Sequence, residues 1–255
     1  MASADAPPDN GARLFSRPSE RPDATADRGV RYLGLRATRD AAVFVPRASF
    51  DARLSHPLIV ILHGAGGDAD GALAPLQRLA EANGVILVAP ASRGSTWDSL
   101  IDDFGPDVKF VDNALTHLFA RYAIDERHMA ISGFSDGASY ALTLGLSNGD
   151  LFTHILAFSP GFTNPPATCG RPDIYISHGA QDNVLPIGRC SRRIVPALKN
   201  AGYPVRYHEF DGPHAVPGTD RGRSHAVVRR CTRGLTSARM GRAAEVDDAA
   251  PASKA

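Results

Sequence analysis

Two kinds of hydrophobic pattern alternate along the middle of this chain. Leu58-Ile59-Val60-Ile61-Leu62 and Val85-Ile86-Leu87-Val88-Ala89 are short, unbroken apolar runs closed by Gly or Pro. Continuous rather than alternating hydrophobicity marks strands buried on both faces, as in a parallel sheet. Between them Leu73, Leu76, Leu79 and Ala80 recur at helical spacing, which predicts a helix over Ala72 to Asn83 with Gly84 as its C-cap. A second helical stripe, Val108, Val111, Leu115, Leu118, Phe119 and Tyr122, follows Asp107, which is positioned as an N-cap. Met129 to Ser132 reads as a strand and Ala138 to Leu146 as a small-residue helix ended by Asn148-Gly149. Further strands are expected at His154 to Phe158, Ile174 to His178 and Val205 to Phe210, with a helix from about Gly188 to Ala201 between the last two. Arg31 to Leu35 and Ala42 to Pro46 flank a polar turn and read as a hairpin at a sheet edge. Strands alternating with helices across short loops predict an α/β protein: a three-layer α/β/α sandwich around a mostly parallel sheet.

The pattern is absent at both ends. Residues 1–28 are rich in Ala, Pro, Asp and Arg without apolar periodicity, the composition of a segment that cannot offset its ordering entropy, and are expected to form a disordered tail. Residues 29–217 hold all the predicted elements and form the expected catalytic domain. Residues 218–255, rich in Arg, Ala and Asp with few large apolar positions, are expected to be poorly ordered. At 255 residues the chain suits one large α/β domain rather than two. A net charge of +1, from 28 Lys plus Arg against 27 Asp plus Glu, creates no field that would favour a polyanion, so nucleic acid is excluded as a natural partner. No apolar run approaches the roughly 20 residues that span a bilayer, and the N-terminus has neither the basic nor the apolar region of a signal peptide, so the expected location is cytoplasmic.

The chemistry concentrates at the ends of the predicted strands. Gly133-Phe134-Ser135-Asp136-Gly137 is a G-x-S-x-G sequence lying between a strand and a helix, the setting in which a sharp turn holds a serine hydroxyl above a sheet. Ser135 is therefore the candidate nucleophile. Asp182 follows strand Ile174 to Ser177 in His178-Gly179-Ala180-Gln181-Asp182, and His214 follows the next strand in Gly212-Pro213-His214, as an orienting acid and a general base should. Upstream, His63-Gly64-Ala65-Gly66-Gly67-Asp68 leaves strand Leu58 to Leu62 as a turn able to present amides inward. The backbone N–H groups of Ala65 and Asp136 are the candidate donors to an oxyanion.

Other polar and aromatic residues weigh differently. His63 and His178 read as structural hydrogen-bonders. Asp211 is close enough to His214 in sequence to stand as a second candidate for the orienting acid. Trp97, the single tryptophan, suits either core packing or the lining of a substrate pocket. Asp102-Asp103 has no His or Cys at ligand spacing and reads as a solvated turn, and no phosphate-binding glycine loop is present, so neither a metal nor a cofactor is implied. Cys169, Cys190 and Cys231 read as thiols, with a Cys169 to Cys190 bridge open.

Taken together, Leu62 to Asp68, Gly133 to Ala138, His178 to Asp182 and Gly212 to His214 resemble the phospholipase/carboxylesterase branch of the α/β-hydrolases, which includes acyl-protein thioesterase-like enzymes, and Ser, Asp, His is the order of that fold. Polyhydroxybutyrate depolymerase-like and feruloyl esterase-like enzymes carry similar motifs. The resemblance implies a serine carboxylesterase with a Ser135, His214, Asp182 triad, no cofactor and a small-molecule ester as substrate; the absence of a lid-sized insertion points to short acyl groups. Thioesterase relatives have Gln where this chain has Asp136, which argues against protein-thioesterase activity. Relatives also end in an amphipathic helix, whereas only Ala226-Val227-Val228 offers an apolar stretch after Pro217.

Overall fold

The computed structural model describes residues 11–19, 27–100 and 104–216. An eight-stranded sheet runs through it in the order β1-β2-β4-β3-β5-β6-β7-β8, formed by β1 Gly29–Tyr32, β2 Ala42–Val45, β3 His56–Leu62, β4 Ile86–Ala89, β5 Ile124–Phe134, β6 His154–Phe158, β7 Asp173–Gly179 and β8 Val205–Phe210. The expected edge hairpin is β1 and β2, antiparallel to each other, with β2 antiparallel to β4; from β4 to β8 every pairing is parallel. The helices are α1 Ala69–Leu73, α2 Gln77–Asn83, α3 Pro106–Phe119, α4 Asp136–Ser147 and α5 Ser191–Asn200.

The continuous apolar strands feed two cores because alternate residues face opposite sides. Val60, Ile131, Ile155 and Ile176 face α3, α4 and α5 in one buried cluster, while Ile59, Ile61, Leu87 and Ala130 face Leu73, Leu76 and Leu79 in another. Burying each large aliphatic side chain contributes about 1.5–3 kcal/mol before the entropic cost of ordering. These layers are the three-layer α/β/α sandwich that the alternation of strands and helices predicts.

Two helix boundaries differ from the periodic pattern, each for a local reason. The helix expected over Ala72 to Asn83 is two helices, α1 and α2, separated at Pro75, which has no N–H to donate and whose ring crowds the preceding turn. Gly84 does cap α2 in the left-handed region, at φ 70°. In α3 the N-cap is Gly105 and Pro106 occupies the first turn, which displaces Asp107 from the capping role. Asp107 is instead buried and accepts from the amides of Arg93 (2.6 Å) and Asp98 (2.8 Å), drawing the 93–98 loop onto the start of α3. Burial raises its carboxyl above the usual carboxylate range despite those bonds.

Residues 11–19 depart from the disordered tail expected over 1–28. Ala12 and Leu14 are fully buried. Between them the Arg13 guanidinium donates to the Ser147 carbonyl (2.7 Å) and to both oxygens of Asp150 (2.9 and 2.8 Å). The Asn148 side chain accepts from the Leu14 amide and donates to the Ala12 carbonyl, each at 2.8 Å. A segment that buries only two apolar residues shows no period, so composition hides it. Cys169 and Cys190 are free, so the possible bridge between them does not form. The expectations for Asp102-Asp103, Cys231 and residues 218–255 lie outside the described residues. Among the described residues no helix is long and apolar enough to cross a membrane.

Candidate active site

The turn from β5 into α4 follows from two collisions. A Cβ at Gly133 would lie 2.1 Å from the Gly137 carbonyl oxygen, and one at Gly137 would lie 2.2 Å from the Leu62 carbonyl oxygen. Only glycine at both positions lets the chain turn so sharply against β3. Ser135, at the apex, adopts φ 56° and ψ −121°, a conformation that L-residues seldom hold. Its amide donates to the Phe158 carbonyl at 2.9 Å, and its own carbonyl accepts from Ala138 and Ser139 as α4 begins. The hydroxyl is thus carried on backbone tied to two strands and a helix.

That hydroxyl meets His214. Ser135 Oγ lies 2.9 Å from His214 Nε2, and His214 Nδ1 lies 2.5 Å from Asp182 Oδ2. A carboxylate beside Nδ1 holds the proton on that nitrogen, leaving the Nε2 lone pair to accept from the serine. The ring also packs on Phe134, with centroids 4.7 Å apart. The other oxygen of Asp182 accepts from the amides of Val184 (2.9 Å) and Leu185 (2.7 Å). Burial acts to raise the Asp182 carboxyl, but the bonds from His214 and from these amides outweigh it and hold the group below the usual carboxylate range. Its side chain is nevertheless wholly buried, so the charge is stabilised by directed donors rather than by water.

His178 supplies a further donor. Its Nε2 stands 2.8 Å from the Leu185 carbonyl and 3.1 Å from Asp182 Oδ2, while Nδ1 lies 2.7 Å from Ser191 Oγ. Two acceptors on the Nε2 side put the proton there, and Nδ1 then accepts from the serine. Burial pushes the His178 pKa down even though Leu185 and Asp182 raise it, so the ring is neutral at pH 7. The structural reading of this histidine has a particular content: it contacts the same carboxylate oxygen, Asp182 Oδ2, that His214 holds.

Across from His214 lies the turn after β3. Gly66 donates to the Ser95 carbonyl (2.6 Å) and Gly67 to the Gly64 carbonyl (3.0 Å), whereas the amides of Ala65 and Asp136 donate to no protein group among the described residues. His63 is structural: Nδ1 donates to the Gly64 carbonyl (2.7 Å) and Nε2 accepts from the Ser92 amide (3.0 Å). Burial lowers its pKa despite the Gly64 bond, in keeping with that neutral tautomer. The Thr96 hydroxyl donates to the Asp136 carboxylate at 2.6 Å, so the 93–97 loop fastens both the Gly64 to Gly67 turn and the first residue of α4.

Comparison with known proteins gives a partial family match and several similar folds. A family model described as "Putative esterase" matches residues 108–171, a span that contains the β5 to α4 turn and stops before Asp182. Over 119 residues the chain is 29% identical to "Putative esterase NocK" of Nocardia uniformis subsp. tsuyamanensis, a match over 44% of this chain and 35% of that protein, so only about a third of the relative's length is spanned. Among solved structures, MGS-M1, described as an alpha/beta hydrolase enzyme from a Medee basin deep-sea metagenome library, superposes with a TM-score of 0.61 at 17% identity over 82% of this chain and 100% of its own. Esterase PE8 gives 0.61 at 23% identity over 74% and 99%. The chain has the α/β-hydrolase fold.

Within this fold Ser135, His214 and Asp182 come together, and two other expectations are corrected. Trp97 is fully buried in the core rather than exposed to a substrate: it stacks on Tyr140 (5.0 Å), packs at a tilt against His63 (4.8 Å), and its Nε1 donates to the His63 carbonyl at 2.9 Å. It braces the Gly64 to Gly67 turn from behind. Asp211, the second candidate for the acid, is exposed and accepts from Gln181 Nε2 at 2.7 Å, so His214 is left to Asp182. Thr96 and the Asp182 contact of His178 were not foreseen, because single polar contacts carry no periodic signal. Only the His178 to Asp182 spacing could have hinted at one of them. Among the described residues no cluster of His, Cys, Asp and Glu is arranged to hold a metal ion.

Proposed function

We propose that this α/β-hydrolase is a serine esterase acting on small carboxylic esters. The observation that carries the reading is the hydrogen-bonded line from Ser135 Oγ through His214 to Asp182. The matches to esterase sequences support the same class.

In the proposed reaction Ser135 Oγ attacks the ester carbonyl while His214 Nε2 takes its proton. The buried Asp182 carboxylate stabilises the resulting imidazolium, the more so because its second oxygen is already occupied by two amides. Charge developing on the carbonyl oxygen is met by the amides of Ala65 and Asp136, the latter at the N-terminus of α4, whose dipole favours negative charge. Each such donor contributes about 2.7–4 kcal/mol to a transition state of this kind. His214 returns its proton to the departing alcohol, leaving an acyl-enzyme on Ser135. Water, activated by the same imidazole, then cleaves it to the acid.

The deciding experiment is hydrolysis of p-nitrophenyl acetate and butyrate by the intact protein and by Ser135→Ala, with both shown to be folded by circular dichroism. Turnover that disappears in the variant is expected. Equal activity in the two proteins, or none in either, would overturn the assignment.

A further inference from the structure

The two amides proposed to meet the oxyanion belong to separate parts of the chain, Ala65 to the turn after β3 and Asp136 to the start of α4. Their separation is therefore set by tertiary contacts, and three consecutive residues of the 93–97 loop supply them. The Ser95 carbonyl accepts from the Gly66 amide at 2.6 Å, Thr96 Oγ1 donates to Asp136 Oδ2 at 2.6 Å, and Trp97 Nε1 donates to the His63 carbonyl at 2.9 Å. His63 and Gly66 flank Ala65, so one short segment holds the turn on either side of the first donor and grips α4 at the second. The turn and the nucleophile are already close, since a Cβ added to Gly64 would lie 3.5 Å from Ser135 Cβ. A negative charge one residue from a developing oxyanion opposes it by Coulomb repulsion unless a donor takes the charge up. Here a hydroxyl does so, at a half-buried position, in the short O–H···O⁻ bond that is stronger than its neutral counterpart.

Resting on the esterase reading, we propose that Thr96 and the Asp136 carboxylate are positioning residues whose bond sets the distance between the Ala65 and Asp136 amides. Asp136 then acts twice, through its amide on the reacting oxygen and through its side chain on the placement of the other donor. The bond tunes the site to the charge that develops on the carbonyl oxygen, not to the bound ester, so its loss falls on kcat rather than on KM. A displacement of about 1 Å at a reacting centre costs up to about a hundredfold in rate.

Thr96→Val and Asp136→Ala break the bond but keep both backbone amides. With each shown to be folded by circular dichroism, they are expected to lower kcat and kcat/KM for p-nitrophenyl butyrate together by about tenfold to a hundredfold, with KM within about twofold. Thr96→Ser, which keeps the hydroxyl, is expected to hold kcat within about threefold of the intact protein. The double variant Thr96→Val with Asp136→Ala should fall no further than the slower single variant, because both changes remove one bond. Losses that multiply in the double variant, a loss carried by KM, or a Thr96→Ser variant as slow as Thr96→Val overturns the proposal. Hydrogen exchange of the Gly66 amide, followed by nuclear magnetic resonance, reads the clamp without turnover and should quicken by about tenfold in Thr96→Val but not in Thr96→Ser. Quickened exchange in a protein that hydrolyses no ester would remove the esterase reading and leave the clamp, whereas Ser135-dependent hydrolysis with an unchanged kcat in Thr96→Val would do the reverse.

Discussion

Ser135 holds a backbone conformation that its own side chain opposes, and comparing Ser135→Gly with Ser135→Ala measures how much stability that conformation costs. At φ 56° and ψ −121° a Cβ crowds the flanking peptide, and residues held in such regions carry about 1–3 kcal/mol of strain. Alanine keeps the Cβ and the strain, while glycine removes both. Glycine also widens the unfolded ensemble, which opposes the gain by about 0.5–1 kcal/mol. Both variants lose the 2.9 Å bond from Oγ to His214, so that loss cancels between them. Glycine is therefore expected to be more stable than alanine by about 0.5–2 kcal/mol, and on the proposed mechanism neither variant turns over. Urea unfolding followed by far-ultraviolet circular dichroism reads this directly: with a slope near 3 kcal/mol/M the midpoint moves up by about 0.2–0.7 M. A glycine variant equal to or weaker than alanine would refute the idea that the turn stores strain, and would mean that the bonds to Phe158, Ala138 and Ser139 alone set its shape.

Three further outcomes follow from particular contacts. His178→Asn removes a donor placed 3.1 Å from Asp182 and should lower kcat about threefold to tenfold with little change in KM, the loss of one modest bond to a charged group; an unchanged kcat in a folded variant would show that the two amides suffice to orient the carboxylate. Thr96→Val breaks the 2.6 Å bond to Asp136 and should lower stability by about 1 kcal/mol, read as a fall in thermal midpoint of a few degrees, whereas an unmoved midpoint would mean that the Gly66 to Ser95 bond holds the loop by itself. Arg13→Met tests the docking of the N-terminal segment and its pH dependence. The bonds from Arg13 hold the Asp150 carboxyl well below the usual carboxylate range despite partial burial. A depressed folded pKa contributes stability that is present above the unfolded value, about 3.9, and is lost as pH falls below it. The stability gap between the intact protein and Arg13→Met, measured by urea unfolding, should therefore shrink between pH 6 and pH 3, and a gap independent of pH would refute the ion pair as its source.

What was legible in the sequence is what local geometry compels. The spacing of Gly133, Ser135 and Gly137 is readable because a Cβ at either glycine would collide with backbone, so the residue types record the turn itself. The central strands are readable because burial on both faces forbids polar interruptions, as the runs at Leu58 and Val85 show. Asp182 and His214 could be chosen because each ends a strand in such a sheet. Where one residue acts on another far along the chain, no such rule exists. Trp97 beneath the Gly64 to Gly67 turn, Thr96 on Asp136 and Arg13 on Asp150 are contacts across 34, 40 and 137 positions, each a single pair with no repeat. Asp107 shows the intermediate case: its position suggested a cap, but Pro106 had already taken the first turn, so its buried carboxylate was left to gather the loop that carries Thr96 and Trp97. The groups expected to do chemistry were therefore easier to find than the groups that hold them in place. The supporting set converges on one structure, the turn bearing the Ala65 amide, which is fixed from behind by Trp97 and from the side by Ser95. A donor to an oxyanion is effective only when it is aimed before charge develops. The rigidity of that turn, rather than its glycine-rich composition, is what qualifies Ala65 for the role proposed for it.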